Sequence, residues 1–445
     1  MKKLLLLLLP FATSAQDFWT EVAPFSNAEI YVSDISIIDE DVIWVCGQGN
    51  YPQEPKWSRS TDGGVTWQDG VIDIGNDYIS IGSLHAVSET RAYLAVFSGT
   101  GEAVNGIWMT NDGGQTWTQQ LGQNWTGDRA PSFVHFWNVD NGITVCDPID
   151  GVFQIYTTAD GGANWTLLPE ANLPAILPGE YSYSRNFDQV SNRFWFGTNG
   201  GRLFHTDASN LNNGLFWQAY QTPLQDFGSA IQSGEYAFKN ADEGLLVSNE
   251  FNLWRTTNSG QTWTQEFPAG LRNFTLTHVT GTANSYFATG ETLEQTGRGS
   301  SYSVDGGVTW INLDDADSEP VFPELVKFAS GSVGFCVGTY LDDMGGPKHF
   351  FRMTDPMNRL LKADTFIQQS ALAAIPNPTS GVFRISGDWL QSATVYDISG
   401  KAVSSHAFVA GTDALLDLSA YEAGIYLISA VTANGDIQTI KLVKN

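Results

Sequence analysis

Five nearly identical turns recur along this chain, and a strand-like run leads into each. They read Ser60-Thr61-Asp62-Gly63-Gly64-Val65-Thr66-Trp67, Thr110-Asn111-Asp112-Gly113-Gly114-Gln115-Thr116-Trp117 and Thr158-Ala159-Asp160-Gly161-Gly162-Ala163-Asn164-Trp165. The other two are Thr256-Thr257-Asn258-Ser259-Gly260-Gln261-Thr262-Trp263 and Ser303-Val304-Asp305-Gly306-Gly307-Val308-Thr309-Trp310. A repeat of this kind means one supersecondary unit stacked several times. The turn has a physical logic. Asp or Asn folds its side chain onto backbone N–H groups two residues on. Gly supplies the positive φ that reverses the chain. The Ser or Thr ahead of it bonds within the loop. The Trp opens the returning strand and carries a large apolar surface to bury between sheets.

The spacing sets the size of the unit. Trp67 to Trp310 is 243 residues over five steps, about 49 per repeat, if the degenerate copy Phe204-His205-Thr206, with its long loop to Trp217, is counted. That is four short strands and their turns, one propeller blade. A seventh, eroded copy is Phe351-Arg352-Met353-Thr354-Asp355, which has no Trp after it. The missing strand is expected at the other end of the chain, where Phe18-Trp19-Thr20-Glu21 resembles Thr262-Trp263-Thr264-Gln265. The reading is therefore all-β: a seven-bladed β-propeller over residues 16–356, closed by its N-terminal strand so that no edge is left to template aggregation.

The pattern S/T-x-D-x-G-x-T-W is the Asp-box. The chain resembles the Asp-box propellers, which include sialidases, sortilin-type receptors, xyloglucan hydrolases and photosystem assembly factors. The resemblance implies that Asp62, Asp112, Asp160, Asn258, Asp305 and the tryptophans Trp67, Trp117, Trp165, Trp263 and Trp310 are structural and lie away from any active site. It also implies that ligands are met on the opposite face.

Both ends of the chain carry addresses. Lys2-Lys3, the apolar run Leu4 to Leu9 and Thr13-Ser14-Ala15 form a signal peptide over residues 1–15. No other segment is long and apolar enough for a bilayer. After an expected linker at 357–370 the Asp-box pattern gives way, over 371–445, to alternating strands and polar turns, a small β-sandwich. Its motifs are Pro376-Asn377-Pro378-Thr379-Ser380-Gly381, Val395 to Lys401 with Gly400, Ala423-Gly424-Ile425-Tyr426-Leu427 and Lys441-Leu442-Val443-Lys444. In order, spacing and position they resemble the type A C-terminal sorting domain of the type IX secretion system. The resemblance implies export across the outer membrane with that machinery as partner. Cleavage would then release the passenger or attach it to surface lipopolysaccharide. The blander alternative is a fibronectin-like appendage.

The formal charge of −26 makes nucleic acid and anionic lipid poor partners. It reads as solubility outside the cell for a monomer. No cofactor is expected. Ca²⁺ at Asp314-Asp315-Ala316-Asp317 or Asp342-Asp343 is the alternative, but neither has a metal-loop spacing. Cys46, Cys146 and Cys336 sit in matching apolar strands and read as buried hydrophobes. A Cys46–Cys336 bridge between neighbouring blades is the competing reading.

Ligand candidates fall on loops and inner strands. Arg129 ends Asn124-Trp125-Thr126-Gly127-Asp128-Arg129. Tyr181, Tyr183 and Arg185 lie in Gly179 to Arg185, and Arg298 ends Glu291 to Arg298. Such aromatics stack on sugar rings while Arg and carboxylates hold hydroxyls or acidic groups; equally, these loops could simply cover blade ends. His85, His135 and His278 fall at similar places in the first strands of blades two, three and six, either as channel ligands or as hydrogen-bonded structural histidines. No catalytic residue is identified. A sialidase Arg-Ile-Pro motif is absent, and Phe383-Arg384-Ile385-Ser386 lies in the sorting domain. No nucleophile elbow or phosphate loop occurs. Two function classes remain. The preferred one is a secreted or surface propeller that binds a glycan, peptide or envelope protein. The alternative is a glycan hydrolase or lyase using loop carboxylates.

Overall fold

The computed structural model describes residues 18–27, 30–49, 54–98, 104–120, 130–209, 214–228, 233–291, 298–313, 321–340, 348–353, 373–386, 390–398, 400–408, 414–432 and 437–445. The expected signal peptide and linker, and both acidic clusters, lie outside these residues. The chain divides into two units, Met1–Leu361 and Lys362–Asn445.

The first unit is seven four-stranded antiparallel sheets. Blade one is Tyr31–Ile37, Ile43–Gln48, Lys56–Ser60 and Gln68–Val71, and blade two is Ser80–Ala86, Ala92–Phe97, Gly106–Thr110 and Thr118–Gln119. Blade three is Pro131–Phe136, Gly142–Ile149, Val152–Thr158 and Thr166–Leu167, and blade four is Ser182–Val190, Arg193–Thr198, Arg202–Asp207 and Trp217–Gln221. Blade five is Gly234–Phe238, Gly244–Ser248, Leu253–Thr256 and Thr264–Glu266. Blade six is Thr275–His278, Tyr286–Glu291, Arg298–Ser303 and Ile311–Asn312. Blade seven takes Val321–Phe328, Gly334–Tyr340 and His349–Met353 from the end of the unit and Trp19–Glu21 from its beginning.

The ring is closed by that last pairing. Trp19 lies opposite Met353, Thr20 opposite Arg352 and Glu21 opposite Phe351. In blade four, Trp217 lies opposite Thr206, the residue that stands where the boxes have their first Ser or Thr. Trp19 therefore fills the register of a box tryptophan. It packs edge-on against Phe287 of blade six, 5.8 Å between centroids. Every pair of neighbouring blades, including seven and one, shares an apolar layer.

The boxes work as local clasps, with one difference from the expected bonding. Asp62 Oδ1 accepts from the backbone N–H groups of Val65 (3.1 Å) and Thr66 (2.8 Å), three and four residues on rather than two. Its Oδ2 accepts from the Thr66 hydroxyl at 2.6 Å, and the Ser60 hydroxyl donates to Oδ1 while accepting from Gly64 N–H. Asp112, Asp160, Asn258 and Asp305 repeat the bond to the fourth residue at 2.8 to 3.0 Å. The wider reach lets one carboxylate close the whole turn. The Thr66 hydroxyl, then its N–H, hold Asp62 down to about 2, and Thr116 does the same for Asp112. The second box glycine is required twice over. Gly114 has φ +93°, and a Cβ there would meet the Trp57 ring of the preceding blade at 2.3 Å.

The cysteines are corrected by register. All three are free and buried in second strands, but Cys46 is the fourth residue of its strand, Cys146 the fifth and Cys336 the third. Side chains alternate faces with period two, so Cys46 packs toward blade two and Cys336 toward blade six. The neighbouring thiols point into different layers and form no bridge.

The second unit is a sandwich around one core. One sheet is Ala373–Ile375, Val382–Ser386 and Ala414–Asp417. The other is Ala402–Ala407, Leu390–Asp397, Gly424–Thr432 and Ile437–Lys444. The singled-out motifs are its joints. Asn377, between Pro376 and Pro378, donates from Nδ2 to the Lys441 carbonyl (2.6 Å) and accepts from Val443 N–H (2.9 Å). Gly400 turns at φ +84°. Gly424 pairs with Lys444, and the buried Tyr426 donates its hydroxyl to the Glu422 carbonyl.

Three outcomes follow from this packing. Removing residues 16–23 should open the ring, so that calorimetry shows aggregation or loss of a cooperative transition; an unchanged transition would refute closure by this strand. Trp117→Ala should cost roughly 3–5 kcal/mol and Asp305→Ala about 1–2 kcal/mol, read from denaturant midpoints. Because Asp62 and Asp112 are held below their unfolded value of about 3.9, their contribution is complete above pH ~4. It is lost as pH falls toward ~2. A double Asp62→Asn, Asp112→Asn variant should show a shallower fall in melting temperature over that window.

Candidate functional site: the central channel

The innermost strand of a blade pairs on one side only, so its other edge looks into the ring. Here side chains from the preceding blade cover that edge. Asp34 of blade one accepts from Leu84 N–H of blade two at 2.8 Å, and Ser36 from Ala86 N–H at 2.8 Å. Ser83 of blade two accepts from Val134 N–H at 2.9 Å. Asp188 of blade four accepts from Phe238 N–H at 2.7 Å. The polar residues of these strands thus do structural work before any other.

Register defines a girdle. The residues opposite the second position of each second strand, or in blade four the third, are Ser36, His85, His135, Asp188, Ala237, Thr277 and Lys327. All seven line one cavity of about 720 Å³, the central channel. His85 and His135 are equivalent and adjacent, as expected, with rings 4.6 Å apart. His278 is not their equivalent. It lies one residue further along, opposite Tyr286, and Thr277 holds the girdle position. It still lines the channel. Burial pushes His85 down to about 4, with Lys327 adding, and His135 well below the usual range, with His85 adding. Burial likewise takes His278 to about 4. These rings are neutral at pH 7.

The seam between blades seven and one is tied at the same level. Lys327 donates to Asp34 Oδ1 at 3.0 Å and to the Ile35 carbonyl. Asp34, 1% exposed, also accepts from Ile35 N–H at 2.8 Å. One carboxylate thereby joins blades seven, one and two.

The boxes mark one face. Their backbone N–H groups reach the hairpins between first and second strands, as in Gly63 to Asp41 (3.0 Å) and Gly113 to Thr90 (2.9 Å). At the other mouth of the channel stand two expected residues, Tyr183 and Arg185. Tyr183 donates to Asp226 at 2.6 Å, and Tyr181, 43% exposed, rests edge-on against it at 5.3 Å. Arg185 has φ +62°, a conformation that costs a branched or long side chain free energy. From blade four it donates to the carbonyl of Ser33 on blade one, so its side chain crosses the channel. A register shift between Ser182 and Phe187 puts it there.

Two carboxylates stand near it. Asp188 is pushed up to about 6 by burial, against the pull of the Phe238 and Gln189 N–H groups. Glu235 on blade five is open to the channel but enclosed by its walls. That enclosure, with the Asp188 charge adding and Arg185 opposing, pushes it up to about 7. Sequence reading did not single out Asp188, Glu235, Asp34 or Lys327. Aligning each inner strand by its offset from the following apolar strand would have found Lys327, which precedes Gly334 as His85 precedes Ala92, but not Asp188, whose hairpin is shorter. Of the other candidates, Arg298 begins the third strand of blade six, its backbone opposite Glu291. Arg129 lies outside the described residues. No group of three His, Cys, Asp or Glu suited to a metal occurs among the described residues.

Comparisons with known proteins agree with this architecture. Residues 373–445 match the secretion system C-terminal sorting domain family. The propeller is similar to YCF48 bound to D1 peptide, at 18% identity and TM-score 0.54, covering 77% of this chain and 97% of that one. YCF48 from Cyanidioschyzon merolae is similar at 17% identity and TM-score 0.50, covering 76% and 99%. The extracellular domain of a hybrid two-component system from B. thetaiotaomicron is similar at 12% identity and TM-score 0.51, covering 97% and 58%. At these identities the likeness is one of fold. Comparison with curated proteins gave no match. The first unit is thus a propeller whose turns are Asp-boxes, and the sorting-domain match at 373–445 indicates type IX secretion or attachment to the cell surface.

Lys327→Met would leave Asp34 buried without its cation. Because the lysine is about a third exposed, the cost should be about 1–3 kcal/mol. Denaturant melts should show it, and a change below ~0.5 kcal/mol would mean that the seam does not depend on this pair.

Proposed function

We propose that the propeller is a non-enzymatic binding module. Its ligand, an extracellular glycan or peptide, docks at the channel mouth opposite the Asp-boxes. The observation that carries this reading is Arg185, held at positive φ with its guanidinium across a cavity of about 720 Å³. Strained residues persist where the surroundings over-determine them, and they cluster at ligand clamps. Tyr183, oriented by its bond to Asp226, and Phe227 give the same mouth aromatic walls, and Glu235 gives it an acceptor. This composition matches recognition sites, which are concave and partly apolar with a few convergent polar groups. The protein acts as a monomer without cofactor, after passage of the inner membrane on the signal peptide of residues 1–15.

The direct test is a glycan array and a peptide array probed with the protein and with Arg185→Ala. Binding that falls at least tenfold at unchanged melting temperature supports the mouth; ligands indifferent to Arg185→Ala would move the site elsewhere. Export is tested separately. Without residues 373–445 the propeller should fold but remain in the periplasm, and normal appearance outside the cell would contradict the role of this domain.

A glycan hydrolase is the second reading. It rests on Asp188 and Glu235, two channel carboxylates raised toward neutral pH, as paired acid–base groups require. Reducing-sugar release that disappears in Glu235→Gln would favour it over binding alone.

A further inference from the structure

Glu235 differs from every other acidic group described at this mouth. Asp226 accepts from the Tyr183 hydroxyl and from Gly228 N–H, Asp188 accepts from two backbone N–H groups, and Glu324 is paired with Lys348. Glu235 makes no hydrogen bond or ion pair among the described residues, although it lies open in the cavity. The charged and titratable groups around it do not fill that vacancy. From blade four it faces Arg185, bonded to Ser33, and Asp188, of its own sign. From blade six the titratable group lining the cavity is His278, neutral at pH 7. The two lysines of blade seven are each held by another carboxylate. The two histidines of blades two and three are uncharged.

The walls beside it are aromatic. Tyr183 and Phe227 line the cavity from blade four and the connection that follows it. Phe274, 44% exposed, lines it from the connection into blade six. Resting on the binding role of this mouth, we infer that Glu235 receives the ammonium or guanidinium head of a basic peptide side chain whose apolar stem lies along Tyr183, Phe227 and Phe274. Such a side chain joins a long apolar stem to a compact cation, and aromatic faces attract that cation as well. A sugar ring offers no comparable stem, and it asks for several in-plane hydrogen-bonding partners around each hydroxyl. A bound cation would also relieve the repulsion between Glu235 and Asp188.

The test uses the purified full chain and isothermal titration with tetralysine, its side-chain-acetylated form and a tetramer of glucosamine. Tetralysine should bind and the acetylated peptide should not. Glu235→Gln should weaken tetralysine at least tenfold. Because Glu235 loses its proton near pH 7, wild-type affinity should rise about tenfold from pH 6 to pH 8 and stay flat in Glu235→Gln. The net charge of −26 could attract tetralysine without a site, but one lost charge would then change little. Equal binding by Glu235→Gln overturns the inference. Tighter, Glu235-dependent binding of the glucosamine tetramer overturns the choice of a peptide. Array ligands that depend on Arg185 but not on Glu235 overturn this inference and leave the mouth reading standing, whereas ligands that depend on neither overturn both.

Discussion

Everything in the propeller depends on burying both faces of every blade. A four-stranded antiparallel sheet with apolar residues on both sides is stable only between two others, so seven blades need seven layers and the last layer needs the ring to meet itself. The pairing of Trp19–Glu21 with His349–Met353 supplies that meeting on the outside. Asp34, reached by Lys327 and by the Leu84 N–H, supplies it on the inside. Neither is worth much in isolation, since a three-residue ladder and one partly exposed ion pair are small terms. Their effect lies in holding the apolar layer between blades seven and one in register.

The Asp-boxes solve a different problem. Each must turn the chain at the rim while its second glycine presses against the preceding blade. The turn therefore has to be tight, and it cannot borrow side chains from elsewhere. The carboxylate collects the loop's own N–H and hydroxyl donors, which frees the tryptophan to reach back. Trp67 meets Phe335 and Phe350 of blade seven edge-on. Blade four, whose box is lost, keeps the tryptophan position in Trp217 and bonds the Thr206 hydroxyl to the Phe216 carbonyl instead. The inter-blade contact is thus retained where the turn is not.

How much of this was legible in the sequence follows from what each feature depends on. Blade number and the closing strand were legible because a box records its own geometry in eight consecutive residues, and because Thr20 follows Trp19 as Thr264 follows Trp263. The sorting domain was legible for the same reason. The channel was only half legible. His85 and His135 announce themselves as rare residues at matching offsets, but His278 sits one position off, and one position is enough to change what a strand residue faces. The cysteines mislead in the same way. Glu235 and Asp188 could not be chosen from many acidic residues because their character comes from what surrounds them across the ring, and no local pattern encodes that. Arg185 was chosen for its loop. What marks it is its positive φ and its reach to Ser33, which depend on a register shift invisible in the sequence.

The seam has a kinetic side. The strand that finishes the ring belongs to the first blade-forming residues of the chain, and its partner lies roughly 330 residues later. Joining ends this far apart costs little more equilibrium free energy than joining nearer ones, because loop-closure entropy grows only with the logarithm of length. Its effect is on timing, since pairings remote in sequence form late. Blades one to six can assemble as each is completed, while Phe18 and Trp19 wait. The final cooperative step can occur only once Met353 is present. The sorting domain follows only at residues 373–445, so the ring can close before the export signal is complete.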